Sequence, residues 1–195
     1  MVATAAALYT SRMAASRDEP RKPRPVTREW LFRAAAHYLG RYASTAENLR
    51  RVLERKTQRR IRDWGDDPAA PDAGEAAAMV EATVAHFLEL RLIDDRAFAE
   101  ARLASLRRRG TSVRQVQAKL SEKGVDRELI AEVVGGDETD DRTAALAFAR
   151  RRRLGPHRLR DRAERRNRDI AAMMRAGFGL SDARHAIDHD PDDGE

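Results

Sequence analysis

Apolar positions recur along the chain every three or four residues, the spacing that lays a stripe along one face of a helix. Leu31, Ala35, Tyr38 and Tyr42 form the first stripe, Leu49, Val52 and Leu53 the second, and Val80, Val84, Phe87, Leu88 and Leu92 the third. A middle group follows, with Phe98, Ala99, Leu103 and Leu106, then Val113, Val116 and Leu120, then Leu129, Ile130, Val133 and Val134. The last group has Ala145, Phe148 and Ala149, then Ile170, Met173 and Met174, then Leu180, Ala183 and Ile187. Polar residues punctuate these stripes where helix chemistry wants them. Thr27, Ser112 and Asp126 stand at N-cap positions, Ser44 with Glu47 reads as a capping box, and Gly110, Gly124 and Gly135-Gly136 stop helices. β-Branched residues are sparse, and the intrinsic preference is helical almost throughout, so an all-α protein is predicted.

The pattern also repeats. Asp94-Asp95-Arg96 opens one amphipathic stretch and Asp140-Asp141-Arg142 another 46 residues later, each placing two carboxylates where a helix N-terminus favours negative charge. The turn Ala176-Gly177-Phe178 corresponds to Lys123-Gly124-Val125, with seven extra residues between opening and turn in the later copy. Three tandem three-helix units result, over residues 28–93, 94–136 and 137–188, the first interrupted by an acidic, proline-containing connector at 65–74. Residues 1–27 read as a disordered basic arm, because Pro20, Pro23 and Pro25 alternate with charges, and 189–195 as an acidic tail. Val2 to Tyr9 makes a poor signal peptide, since no basic residue precedes it. In a unit of about 43 residues, about 11 large apolar side chains at roughly 1.5–3 kcal/mol each do not offset ordering at about 1.5 kcal/mol per residue. The units are therefore expected to lean on one another as an elongated, curved array whose long face suits a polymeric partner.

Composition removes whole classes of chemistry. The 195 residues include no cysteine, which excludes disulfides, thiolate nucleophiles, zinc fingers and iron-sulfur centres and suits a reducing cytosol. Mean hydropathy is -0.69 and no apolar run reaches the length of a membrane span, so no membrane partner is expected. No phosphate-binding Gly-Lys-Ser/Thr loop occurs, and Gly177-Phe178-Gly179 lacks both the third glycine and the preceding strand of a dinucleotide site. His185 and His189, near Asp182 and Asp188, have helical metal-ligand spacing but no third strong ligand, and Asp66, Asp67, Asp72 and Glu75 fit no calcium loop. No catalytic residue, metal or cofactor is expected, and a helical enzyme is the weakest reading.

Charge points elsewhere. The net +6 comes from 38 basic and 32 acidic residues, and only four of the basic ones are lysine. Arginine's planar fork matches phosphate and carboxylate, but a GC-rich genome would yield the same bias, so position must decide. Residues 137–178 carry +5 and 179–195 carry -5. Between 150 and 168 stand ten arginines (Arg150, Arg151, Arg152, Arg153, Arg158, Arg160, Arg162, Arg165, Arg166, Arg168) against Asp161 and Glu164. Arg107, Arg108, Arg109, Arg114, Lys119 and Lys123 make a second patch. Both patches are candidates for contact with DNA phosphate or an acidic protein surface; pairing with nearby acids and compensation of helix C-terminal dipoles are the bland alternatives. Each phosphate contacted would add about 0.9 on duplex, or about 0.7 on a single strand, to the log-log salt slope. Aromatics are 5% of the chain and sit on core stripes, so base stacking is not expected as the main binding mode.

Several segments taken in order carry a family resemblance. Leu92-Ile93-Asp94-Asp95-Arg96-Ala97-Phe98-Ala99, Arg107-Arg108-Arg109-Gly110 and Leu120-Ser121-Glu122-Lys123-Gly124-Val125 resemble the signature of the RecX family of bacterial regulatory proteins. Arg151-Arg152-Arg153-Leu154-Gly155-Pro156 and Arg175-Ala176-Gly177-Phe178 are similar to that family's third repeat, and the likeness runs from about Trp30 to Ile187. The resemblance implies three tandem three-helix repeats, each similar to a helix-turn-helix or winged-helix-like unit, in a non-enzymatic cytoplasmic protein. It implies a role in homologous recombination, DNA repair and the SOS response: binding the RecA recombinase filament on single-stranded DNA and restraining its extension, ATP hydrolysis and strand exchange. DNA binding in its own right, to single strands and also to duplex, belongs to the same implication. Asp94, Asp95, Phe98, Gly124, Gly177 and Phe178 match cap, core and turn chemistry and are expected to be architectural, leaving contacts to the arginines. The alternative is a DNA-binding module that reads a duplex major groove with a second or third helix, usually as a dimer. No obvious dimerisation helix is present, and a monomer is expected.

Overall fold

The computed structural model describes residues 23–189; all the regular elements in that span are helical, and no strand occurs among the described residues. The expected basic arm and acidic tail lie for the most part outside the described residues. In the first unit, α1 (Arg28–Leu39), α2 (Ala46–Arg62) and α3 (Ala73–Glu89) enclose Leu31, Ala35, Leu49, Leu53, Val80, Val84 and Phe87. In the middle unit, α4 (Asp95–Arg108), α5 (Val113–Glu122) and α6 (Arg127–Gly135) enclose Ala99, Leu103, Leu106, Val116, Leu120, Ile130 and Val133. The last unit has α7 (Asp141–Arg152), a 3-10 turn at Gly155–His157, α8 (Arg162–Arg175) and α9 (Leu180–Asp188) around Ala145, Ala149, Ile170, Met173, Phe178, Ala183 and Ile187. Three small apolar clusters thus replace one deep core. None of the helices among the described residues is long and apolar enough to cross a membrane.

Helix starts follow the chemistry of their caps. Thr27, Asp72, Asp94, Ser112, Asp126 and Asp140 each accept a backbone N–H from the first turn that follows. The second helix departs from expectation, because its cap is Thr45, whose Oγ1 accepts from Asn48 N–H at 3.1 Å. Ser44 instead accepts from the Asn48 side-chain amide at 2.8 Å. Five stripe residues are exposed: Tyr42 and Leu92 lie past the ends of α1 and α3, while Leu88, Met174 and Leu180 sit in the first or last turn of their helices.

The seven extra residues of the last unit are held by one buried carboxylate. Asp169 accepts from Gly155 N–H at 2.9 Å and from Arg158 Nε and Nη2 at 2.6 and 2.7 Å. Burial pushes its carboxyl up, but the Arg158 guanidinium and the Gly155 N–H more than offset that and hold it below the usual carboxylate range. An aspartate in the unfolded chain titrates near about 3.9, so this stabilisation is complete above that value and is lost as pH falls through the lower folded value. Thermal melting between about pH 5 and 2.5 should therefore show a shallower acid limb in Asp169→Asn than in the parent, from a lower starting stability.

The units are tied by one set of contacts used twice. At the first joint Thr45, capping α2, donates its hydroxyl to the carbonyl of Lys123, the residue that ends α5. At the second, Ser112, capping α5, donates to the carbonyl of Ala176, which ends α8, at 2.7 Å. The next backbone N–H follows suit: Ala46 donates to Asp95 at 2.9 Å, and Val113 to Asp141 at 3.0 Å. Within each aspartate pair the first residue caps its own helix and the second reaches back to the unit before it. Burial at the joint pushes the Asp95 carboxyl above the ordinary range, with the Ala46 N–H opposing the rise.

The glycine after each second helix completes the joint. Gly124 and Gly177 have φ of +77° and +91°, and an added Cβ would lie 2.3 Å from Glu47 Cγ and 2.5 Å from Ser112 Oγ respectively. Gly124→Ala combines a left-handed backbone with this clash, and urea unfolding of the full chain should show it less stable by about 1–3 kcal/mol. Phe98 is half-buried against the middle cluster, and Phe178 is buried with its ring 5.4 Å from that of Phe148.

Candidate functional site

Charge is sorted by helix position within the units. The second helices are basic, with α2 at +5, α5 at +1 and α8 at +3, whereas α3, α6 and α9 carry -3, -1 and -1. The exposed Arg55, Lys56, Arg59 and Arg62 of α2 were missed by the sequence reading, because the acidic connector and α3 cancel them in the total for residues 28–93. Counting by helix would have found them. Arg60 on the same helix lies over the Trp30 ring at 4.1 Å, and burial together with Arg24 pulls its guanidinium below its ordinary value.

The most concentrated feature is a groove of about 760 Å³ at the second joint, between the ends of α4 and α7, the outer face of α5 and the last turn of α8. Four of the expected cations line it: Arg109 and Lys119 from the middle unit, Arg151 and Arg152 from the end of α7. The structure adds Arg102 and Arg175, and no aspartate or glutamate is among the lining residues. The Nε of Arg102 is buried without a hydrogen-bond partner. Arg151 and Arg152 stand 5.8 and 5.9 Å from the centre of the Phe148 ring. Like charges around low-dielectric walls focus a positive potential into the groove.

The first joint serves as an internal comparison. Its groove, about 540 Å³, is lined by Leu39, Tyr42, Ile93, Phe98, the acidic Asp94 and a single cation, Arg102. Ser105 stands there where Arg151 stands 46 residues later. This groove takes no lining residue from α2 or α5, whereas the groove at the second joint is lined by α5 and α8 as well as by the ends of α4 and α7.

The remaining expected contact residues divide into two groups. Arg108, Arg114, Arg150, Arg153, Arg160, Arg165 and Arg168 are exposed, and Arg114 lines a neighbouring cavity of about 520 Å³ with Lys119 and Arg175. Lys123 is half-buried at the end of α5. Arg107 is a correction: only 3% exposed, it donates to Asp137 and Asp141 at 2.6 Å each, so its charge is spent inside the fold. Arg158 is likewise spent on Asp169. Arg166 forms an exposed two-point pair with Asp188 at 2.7 and 2.6 Å, with Arg162 alongside, and the Arg166 guanidinium holds the Asp188 carboxyl below its usual range. The rings of His185 and His189 lie 5.3 Å apart, and no group of three or more His, Asp or Glu among the described residues is placed to hold a metal ion.

Helical units tied in series through shared caps, with a cationic groove free of carboxylates at one joint, define a tandem three-helix-repeat protein. A family model described as the second three-helix domain of RecX matches residues 94–134. A protein named regulatory protein RecX from Myxococcus xanthus is 42% identical over 176 residues, covering 88% of this chain and 91% of its own. Its namesake from Agrobacterium fabrum is 33% identical over 152 residues, covering 77% and 78%. No solved structure matches the chain significantly. The chain belongs to the RecX family of regulatory proteins.

Proposed function

We propose that this protein regulates homologous recombination and DNA repair in the cytoplasm by binding, as a monomer, the RecA recombinase filament on single-stranded DNA and inhibiting its extension, ATP hydrolysis and strand exchange. Family membership supports the regulatory role, and the groove at the second joint carries the rest: six cations with no carboxylate among them. A nucleoprotein filament offers both phosphates and acidic side chains to such a surface. Inhibition is by occupancy, with no bond made or broken. Several modest contacts spread over tandem units become tight together, because each bound unit raises the effective concentration of the next.

The duplex-reading alternative is less well supported. The third helices α3, α6 and α9 are acidic, and the joints occupy the N-termini of α2 and α5, where a reading helix would meet base edges, which leaves α8 as the second helix whose N-terminus makes no joint contact. The test is RecA-catalysed ATP hydrolysis on single-stranded DNA. Substoichiometric protein is expected to suppress hydrolysis and shorten filaments; unchanged hydrolysis and filament length at equimolar protein would overturn the proposal.

A further inference from the structure

The groove at the second joint has two kinds of wall. Leu106, Phe148, Leu154 and Ala172 supply an apolar side, Thr111 and Gln115 supply hydrogen-bonding groups between, and the cations crowd the rest. A bare polyanion, or a run of acidic side chains alone, would use the charge and leave the apolar wall uncovered. A planar, heteroaromatic group joined to phosphate uses both, with the ring against Phe148 and the phosphates on the forks of Arg109, Arg151, Arg152 and Arg175. At about 760 Å³ the groove is within the size range of small-ligand sites. No glycine-rich loop is needed, because side chains rather than backbone N–H groups face the anion. The groove at the first joint, with Arg102 as the one cation among its lining residues and Asp94 beside it, lacks this concentration of charge.

We infer that this groove is a nucleotide site, which holds one nucleobase and the phosphates attached to it. It deepens the role given above to the same groove, yet it stands on the lining of this chain alone and needs no filament. A free nucleoside triphosphate and one nucleotide unstacked from a single strand present the same chemistry.

Calorimetric titration of the full chain, with ATP, adenosine, inorganic tripolyphosphate and oligothymidylate in turn, tests the inference. One ATP per chain is expected, with tripolyphosphate and adenosine each weaker by roughly tenfold or more. Phe148→Leu should weaken ATP and leave tripolyphosphate unchanged, and Arg152→Glu should weaken both, while circular dichroism remains that of the parent. Arg55→Glu on α2, outside the groove, should alter neither. Oligothymidylate that displaces ATP mole for mole assigns both sources to the groove; ATP retained in its presence assigns the groove to the free nucleotide. No ATP binding, or tripolyphosphate as tight as ATP, overturns the inference. If filament inhibition persists under that result, the proposed function stands without it.

Discussion

Arg107→Leu is expected to destabilise the full chain by about 3–5 kcal/mol, the range for a buried ion pair that loses one partner. Arg107 donates Nε to Asp137 and Nη1 to Asp141, both at 2.6 Å, Nη1 again to the Thr111 carbonyl at 2.8 Å, and Nη2 to the Thr139 carbonyl. Its loss leaves two carboxylates close together without a counter-charge. One of them, Asp141, also holds Val113 N–H across the second joint, so the damage reaches from the middle unit into the last. Arg107→Lys keeps the charge but not the fork, and should recover less than half of the loss. Urea unfolding of parent and variants measures both; an Arg107→Leu midpoint equal to that of the parent would show that the cluster contributes nothing.

The second large effect is functional. Arg151→Gln with Arg152→Gln removes two of the six groove cations, and inhibition of RecA ATP hydrolysis on single-stranded DNA should weaken by roughly 30- to 100-fold. If both arginines contact phosphate, the log-log salt slope should fall by about 1.4, from about 0.7 per contact on a single strand. Both side chains are exposed at the end of α7 and touch no carboxylate, so folding stability should change little. Arg160→Gln with Arg168→Gln removes the same charge outside the groove and should cost much less. Equal losses for the two pairs would mean that total charge, rather than the groove, sets binding.

Much of this molecule was legible along the chain. Helix stripes and caps depend on residues three or four positions apart, and most N-caps stand where Thr27, Ser112, Asp126 and the aspartate pairs place them. Ser44 and Thr45 are both good caps, and local pattern does not choose between them. The contact from Thr45 to Lys123, 78 residues away, does. Arg107 and Arg108 are neighbours in one basic run, yet one is buried and the other exposed, because only Arg107 faces Asp137 and Asp141.

The sequence by itself determined the all-helical class, three repeating units with small cores, and an excess of arginine in the last, because periodicity, capping and charge density are local properties. Only the tertiary structure decided which carboxylate of each aspartate pair bridges units, which arginines are spent on folding, and that Arg102 and Arg175 join Arg109, Arg151 and Arg152 around one groove. Those outcomes depend on how one unit's helix ends meet the next, across separations of 28 to 78 residues. No short-range pattern encodes that meeting.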